Sequence, residues 1–142
     1  MSESNVLPLS DLIDYITFHY DGVDVSTYPP DAPPTAWFFS LDPEKHWPNF
    51  ATIVTTDEHD TEPNSNLAAR SAYRLNIGLG PDTFKRLIDP AKAYDYTATD
   101  VVIPHPTYAK QRWIGIVSPT HATFESQIKP LLDEAHDRLD RA

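Results

Sequence analysis

Fourteen prolines against four glycines constrain this chain more than any other feature. Proline fixes φ and removes a backbone donor, so each one marks a corner or an end and keeps regular elements short. Tyr28-Pro-Pro-Asp-Ala-Pro-Pro reads as a stiff loop, because consecutive prolines hold the backbone extended. Pro81 follows Gly80 and reads as the first residue of a helix, where its missing N–H costs least. Pro130 falls inside an apolar helical pattern and divides it, the longer piece starting near Lys129.

Between these corners the hydrophobic period assigns the elements. Leu12, Ile13, Ile16 and Tyr20 share one side of a helix over 9–20, with Ser10 as its cap and Asp11 and Asp14 near its positive end. Short strands are predicted over 23–28, 37–41, 51–56 and 112–118. Over 72–78 the alternation is clean: Tyr73, Leu75 and Ile77 point one way, Arg74, Asn76 and Gly78 the other. The helix opened by Pro81 buries Phe84, Leu87 and Ile88, and the closing helical region carries Phe124, Ile128, Leu131, Leu132, Ala135 and Leu139 in register. The order is helix, strands, helix, strand, helix. It predicts a single α+β domain with a largely antiparallel sheet and the helices packed on one face. A length of 142 residues suits one compact domain.

Eleven basic residues against 21 acidic ones give a net charge of −10. That balance argues against nucleic acid and against an anionic membrane surface, since both are held by lysine and arginine. The absence of cysteine removes disulfides, thiolate nucleophiles and thiolate metal sites. No stretch approaches the ~18 consecutive apolar residues of a membrane span, and the first residues lack the basic start of a secretory signal. A cytoplasmic location is expected.

The densest set of reactive groups lies in Val101 to Pro119, where a Pro-His-Pro corner leads through a polar turn to a tryptophan-bearing strand. Two prolines restrain the backbone around His105, and Tyr108, Gln111 and Trp113 follow closely. Such an imidazole serves as acid or base beside a tyrosine hydroxyl, or hydrogen-bonds a ligand against an indole wall. The plain alternative is a corner packed for stability. Arg74 and Asn76 form a second candidate: a guanidinium on the open sheet face offers a planar double donor to a carboxylate or phosphate. The plain alternative there is an internal ion pair. A third stretch, Asp57, Glu58, His59, Asp60 and Glu62, is rich in oxygen ligands but lacks the spacing of a calcium loop, and reads as a solvated charge run. Tyr28, Trp37, Phe39, Trp47, Tyr94 and Tyr96 divide between core and pocket in a way that pattern alone leaves open. Nucleophile-elbow, phosphate-loop and dinucleotide motifs are absent.

Phe50-Ala-Thr-Ile-Val-Thr-Thr-Asp, Tyr73-Arg-Leu-Asn-Ile-Gly, Ile103-Pro-His-Pro-Thr-Tyr, Trp113 and Pro130-Leu-Leu-Asp-Glu-Ala together resemble an uncharacterised bacterial family, domain of unknown function 6194, common in actinobacteria. The similarity spans nearly the whole chain and carries no assigned catalytic residue. In layout the chain also resembles the MmcQ/YjbR-like proteins, which implies a CyaY-like two-layer α+β fold. Some members of that group are proposed to bind DNA, which the charge of −10 argues against here.

The expectation is a cleft on the open sheet face lined by Arg74, Asn76, His105, Tyr108, Gln111 and Trp113. It would bind a small anionic or aromatic molecule, or a protein partner, without cofactor or metal. The alternatives are an enzyme using His105 as acid or base with Tyr108, and an interaction protein, monomer or homodimer.

Overall fold

The computed structural model describes residues 5–58 and 65–141. Six strands form one sheet: β1 (Asp24–Tyr28), β2 (Ala36–Ser40), β3 (Asn49–Val54), β4 (Arg74–Gly78), β5 (Val102–Pro104) and β6 (Trp113–Val117). Their order is β1-β2-β3-β4-β6-β5 and every pairing is antiparallel. The first four strands run as a meander. The chain then crosses to the far edge, lays down β5 and turns back, so that β6 inserts between β4 and β5.

Helices α1 (Leu9–His19) and α2 (Pro81–Leu87) join a closing rod built from α3 (His121–Thr123), a π segment (Phe124–Ile128) and α4 (Lys129–Asp140). The largest core cluster joins Leu12 and Ile16 of α1 to Leu131, Leu132 and Ala135 of α4, over Phe39, Ile53, Leu75, Ile77, Ile114 and Ile116 of the sheet. The Leu75 and Ile77 face is therefore the helix-covered one, which leaves the opposite face to Arg74 and Asn76. This is the α+β arrangement expected from the sequence.

Several details differ from expectation. Ser10 does not cap α1; the helix starts at Leu9, and Pro8 at the capping position makes no side-chain bond. Asp11 does lie in the first turn, where a carboxylate complements the helix dipole. Helix α2 buries no residue fully: Phe84 and Leu87 stay partly exposed, and only Ile88 beyond its end is buried. The helix lies at the rim of the sheet, tied by Glu134, whose carboxylate accepts from the Gly80 amide at 3.0 Å and the Thr83 hydroxyl at 2.5 Å. Pro130 does mark an assignment boundary, since α4 starts at Lys129, but the chain stays helical through Thr123, Phe124, Ile128 and Lys129. The wider π turn before it absorbs the missing N–H and the ring's clash with the preceding turn. β5 escapes sequence patterning because it is three residues long and ends in proline, which an edge strand tolerates.

Nor is the face opposite the helices bare. Ala36, Val54, Leu67, Ile103 and Val117 form a second, smaller apolar cluster there, with Phe38, Tyr94 and Tyr96 packed against it. Loops cover part of this face, and a cavity occupies the remainder.

Candidate functional site: a cleft on the sheet face away from the helices

Arg74, Asn76, His105, Tyr108, Gln111 and Trp113 all border one cavity of about 410 Å³. Phe38, Thr52 and Val54 of β2 and β3 complete its floor, and Trp47 from the β2–β3 connection and Asn49 at the start of β3 its side. The sheet register explains the convergence. Thr52, Asn76 and Gly115 lie in one row across β3, β4 and β6, while Val54, Arg74 and Val117 form the adjacent row. Trp113 stands opposite Gly78. The β5–β6 hairpin turn then raises His105, Tyr108 and Gln111 over the end of these rows.

Two glycines set the floor's shape. A Cβ on Gly78 would stand 2.9 Å from Trp113 Cε2, so the indole lies directly on that backbone. A Cβ on Gly115 would stand 2.9 Å from Arg74 Cδ, so the arginine stem crosses the sheet over a position without a side chain.

Arg74 is wholly buried, at 0% exposure. Its Nε donates to Asn76 Oδ1 at 2.7 Å and its Nη1 to Ser65 Oγ at 3.2 Å. Asn76 Nδ2 in turn donates to Thr52 Oγ1 at 3.0 Å. The loop carrying Ser65 is fastened by Asp57, whose carboxylate accepts from the Ser65 and Leu67 amides at 2.8 Å each. Arg74 thus borders the cavity but exposes no surface, so its N–H groups are not presented to a ligand.

His105 is 5% exposed. The turn after it is tight, and both the Thr107 and Tyr108 amides donate to its Nδ1 at 3.0 Å. An imidazole nitrogen that accepts two backbone N–H groups carries no proton, so the ring proton sits on Nε2. Burial, and next the positive charge of Arg74, push the His105 pKa down from 6.5 to about 3. The ring is neutral at physiological pH. Nε2 has no acceptor among the described residues. His105 therefore presents a fixed N–H to the cleft, flanked by Tyr108 at 5.1 Å between ring centroids and by the edge-on Trp113 at 6.5 Å.

Tyr108 is 51% exposed and Trp47 67%, so two large aromatic side chains stand at the rim in water. Asn49 carries a further signal: its Oδ1 is buried and has no hydrogen-bond partner among the described residues. Sequence patterning starts the third strand at residue 51 and so misses Asn49, which opens β3, and it leaves Trp47 undecided, because Trp47 lies in a polar connection with no period. Of the other aromatics, Phe39 is core, Trp37 packs against it, and Tyr94 and Tyr96 pack against the smaller cluster. Tyr28 is 43% exposed at the end of the edge strand.

No described residue lining the cleft is acidic, in a chain with 21 carboxylates. Of the acidic stretch, His59, Asp60 and Glu62 lie outside the described residues. Among the described residues no group of three or more histidine, aspartate or glutamate side chains could hold a metal ion, and no helix is long and apolar enough to cross a membrane.

No curated protein and no solved structure matches this chain. A family model does, over residues 7–142, and with that extent of match the chain belongs to the family of unknown function DUF6194.

Proposed function

We propose that this protein binds a small molecule in the cleft on its sheet face and does not transform it. One observation carries the reading: six side chains drawn from β4, β6 and the β5–β6 turn border one cavity of about 410 Å³, a volume within the range of small-molecule sites. Exposed Trp47 and Tyr108 at its rim support it, since large aromatics left in water at a cleft mouth gain from covering. The acid–base alternative has poor support. A base needs a free lone pair toward the substrate, and the only lone pair of His105 is held by two backbone amides. An acid needs a proton it can give up near neutral pH, and the Nε2 proton of a neutral imidazole is not one.

The test is a thermal-shift screen of metabolites and nucleotides, read against Trp47→Ala and Gln111→Ala. Both residues border the cleft away from the buried core, so their loss leaves the fold standing. A ligand at a hundred times its dissociation constant stabilises the native state by about 2.7 kcal/mol. A shift in wild type that shrinks in both variants supports the cleft; a full panel without a shift counts against it.

One feature favours a second reading, a homodimer: β1 is an edge strand paired only to β2 among the described residues, with Phe18 of α1 78% exposed nearby in sequence. Light scattering that stays monomeric over a wide concentration range removes it. We further infer a bacterial, cytoplasmic setting and an MmcQ/YjbR-like layout. The family resemblance supports the first and the helices gathered on one face of an antiparallel sheet support the second.

A further inference from the structure

Resting on the cleft reading above, we propose that the occupant is a neutral, planar heteroaromatic molecule that offers an acceptor to His105 Nε2–H and a donor to the Asn49 carboxamide oxygen. Three observations converge on that class. The first is hydrogen bonding. His105 is locked as a donor, because its Nδ1 is taken by the Thr107 and Tyr108 amides. Asn49 Oδ1 is buried at the wall without a partner, which is costly unless something supplies an N–H. Asn49 itself borders the cavity.

The second is charge. A cation would find no carboxylate among the described lining residues to hold it. An anion would approach a chain of net charge −10 and shed its hydration without touching a guanidinium, since Arg74 exposes nothing. A neutral molecule avoids both costs. The third is shape. Trp113 packs on the Gly78 backbone, while Trp47 and Tyr108 stand exposed at the mouth, so aromatic side chains border the occupant's space on more than one side.

The experiment uses three probes that share one ring and differ in charge: quinoline-3-carboxamide, quinoline-3-carboxylate and 3-(aminomethyl)quinoline. Each is titrated calorimetrically into the full chain at pH 7. The carboxamide is expected to bind at least tenfold more tightly than either charged probe. Trp47→Ala weakens it by about tenfold, the scale of one stacking contact. In the wild-type protein, a long-range nitrogen–proton spectrum places the His105 proton on Nε2, and that resonance moves when the carboxamide is added while Nδ1 stays. This second readout needs no substitution at His105, whose ring also holds its turn together. Equal or tighter binding of the carboxylate or the amine overturns the neutral class, and the cleft reading survives if Trp47→Ala weakens that probe. Binding that ignores Trp47→Ala and leaves His105 Nε2 unmoved overturns the proposal, because the probe then sits elsewhere. Failure of all three probes overturns it too, and the metabolite screen separately decides whether the cleft holds a ligand of other chemistry.

Discussion

Gly115→Ala tests how the largest buried polar side chain of the fold is held. The added methyl would stand 2.9 Å from Arg74 Cδ, 3.3 Å from Arg74 Cγ and 3.2 Å from Asn76 Oδ1. Carbon atoms in contact prefer about 3.5–4.0 Å, so Arg74 must move. It is 0% exposed, and a shift toward the cavity it borders lengthens its 2.7 Å bond to Asn76 or its 3.2 Å bond to Ser65. Opposing effects set the size. Alanine in place of a strand glycine gains about 0.5–1 kcal/mol, because the unfolded chain loses freedom. Overpacking costs about 1–3 kcal/mol, and one hydrogen bond from a charged donor about 1.5–3 kcal/mol. Overpacking with one bond lost therefore leaves a net destabilisation of about 3 kcal/mol. Urea unfolding reads it as a lower midpoint at unchanged slope. The same substitution in an Arg74→Met background meets a shorter, flexible stem and costs less than about 1 kcal/mol, a coupling of about 2 kcal/mol. A Gly115→Ala protein as stable as wild type, or the same cost in both backgrounds, refutes the account.

The remaining predictions concern the elements that frame the cleft. The pKa of His105 falls from 6.5 to about 3 on folding, so between those values the unfolded chain holds a proton that the fold excludes. Stability from this group is complete above the unfolded value and is lost as pH falls toward the folded one, at about 1.4 kcal/mol per pH unit. His105→Gln flattens the dependence of stability on pH between 6 and 5 by that one proton; equal slopes in the two proteins would sink this assignment. Glu134→Ala removes the acceptor of the Gly80 amide and the Thr83 hydroxyl, lowers stability by about 1–2 kcal/mol and speeds amide exchange at the start of α2. Unchanged exchange there contradicts the clamp. Asp57→Ala frees the Ser65 and Leu67 amides, costs about 1–3 kcal/mol and exposes the chain at Arg70 to trypsin, since the Arg70 Nη2 bond to the Ser65 carbonyl loosens with it. Cleavage at the wild-type rate argues that Asp57 does not fasten the loop.

The floor of the cleft was legible in the sequence and its chemistry was not. Residues 73–77 alternate with period two, so one reading puts Leu75 in the core and Arg74 and Asn76 on the other face. The Pro-His-Pro corner and Trp113 belong to one hairpin, and a hairpin is a local object that short-range signals describe well. Nothing local says that Thr107 and Tyr108 turn their amides onto His105 Nδ1, so the tautomer, and with it the choice between base and donor, follows from the folded turn alone. Arg74 alone in an apolar strand invites a ligand anion. Only the path of residues 65–67 over the sheet shows it buried and bonded to Ser65. Trp47 carries no periodic signal, because its place follows from the geometry of a connection, and Asn49, the first residue of β3, lies ahead of the β-branched run that marks the strand.

The insertion of β6 between β4 and β5 has a consequence for cooperativity. One wall of the cleft belongs to the four-strand meander and the other to a hairpin whose own pairing is local; the two meet mainly along the β4–β6 ladder. A molecule that touches Asn49 on one side and His105 on the other therefore acts as a tie across that seam. Its occupancy should slow hydrogen exchange along the β4–β6 ladder by more than along β1–β2, which lies wholly within the meander and gains nothing from the tie.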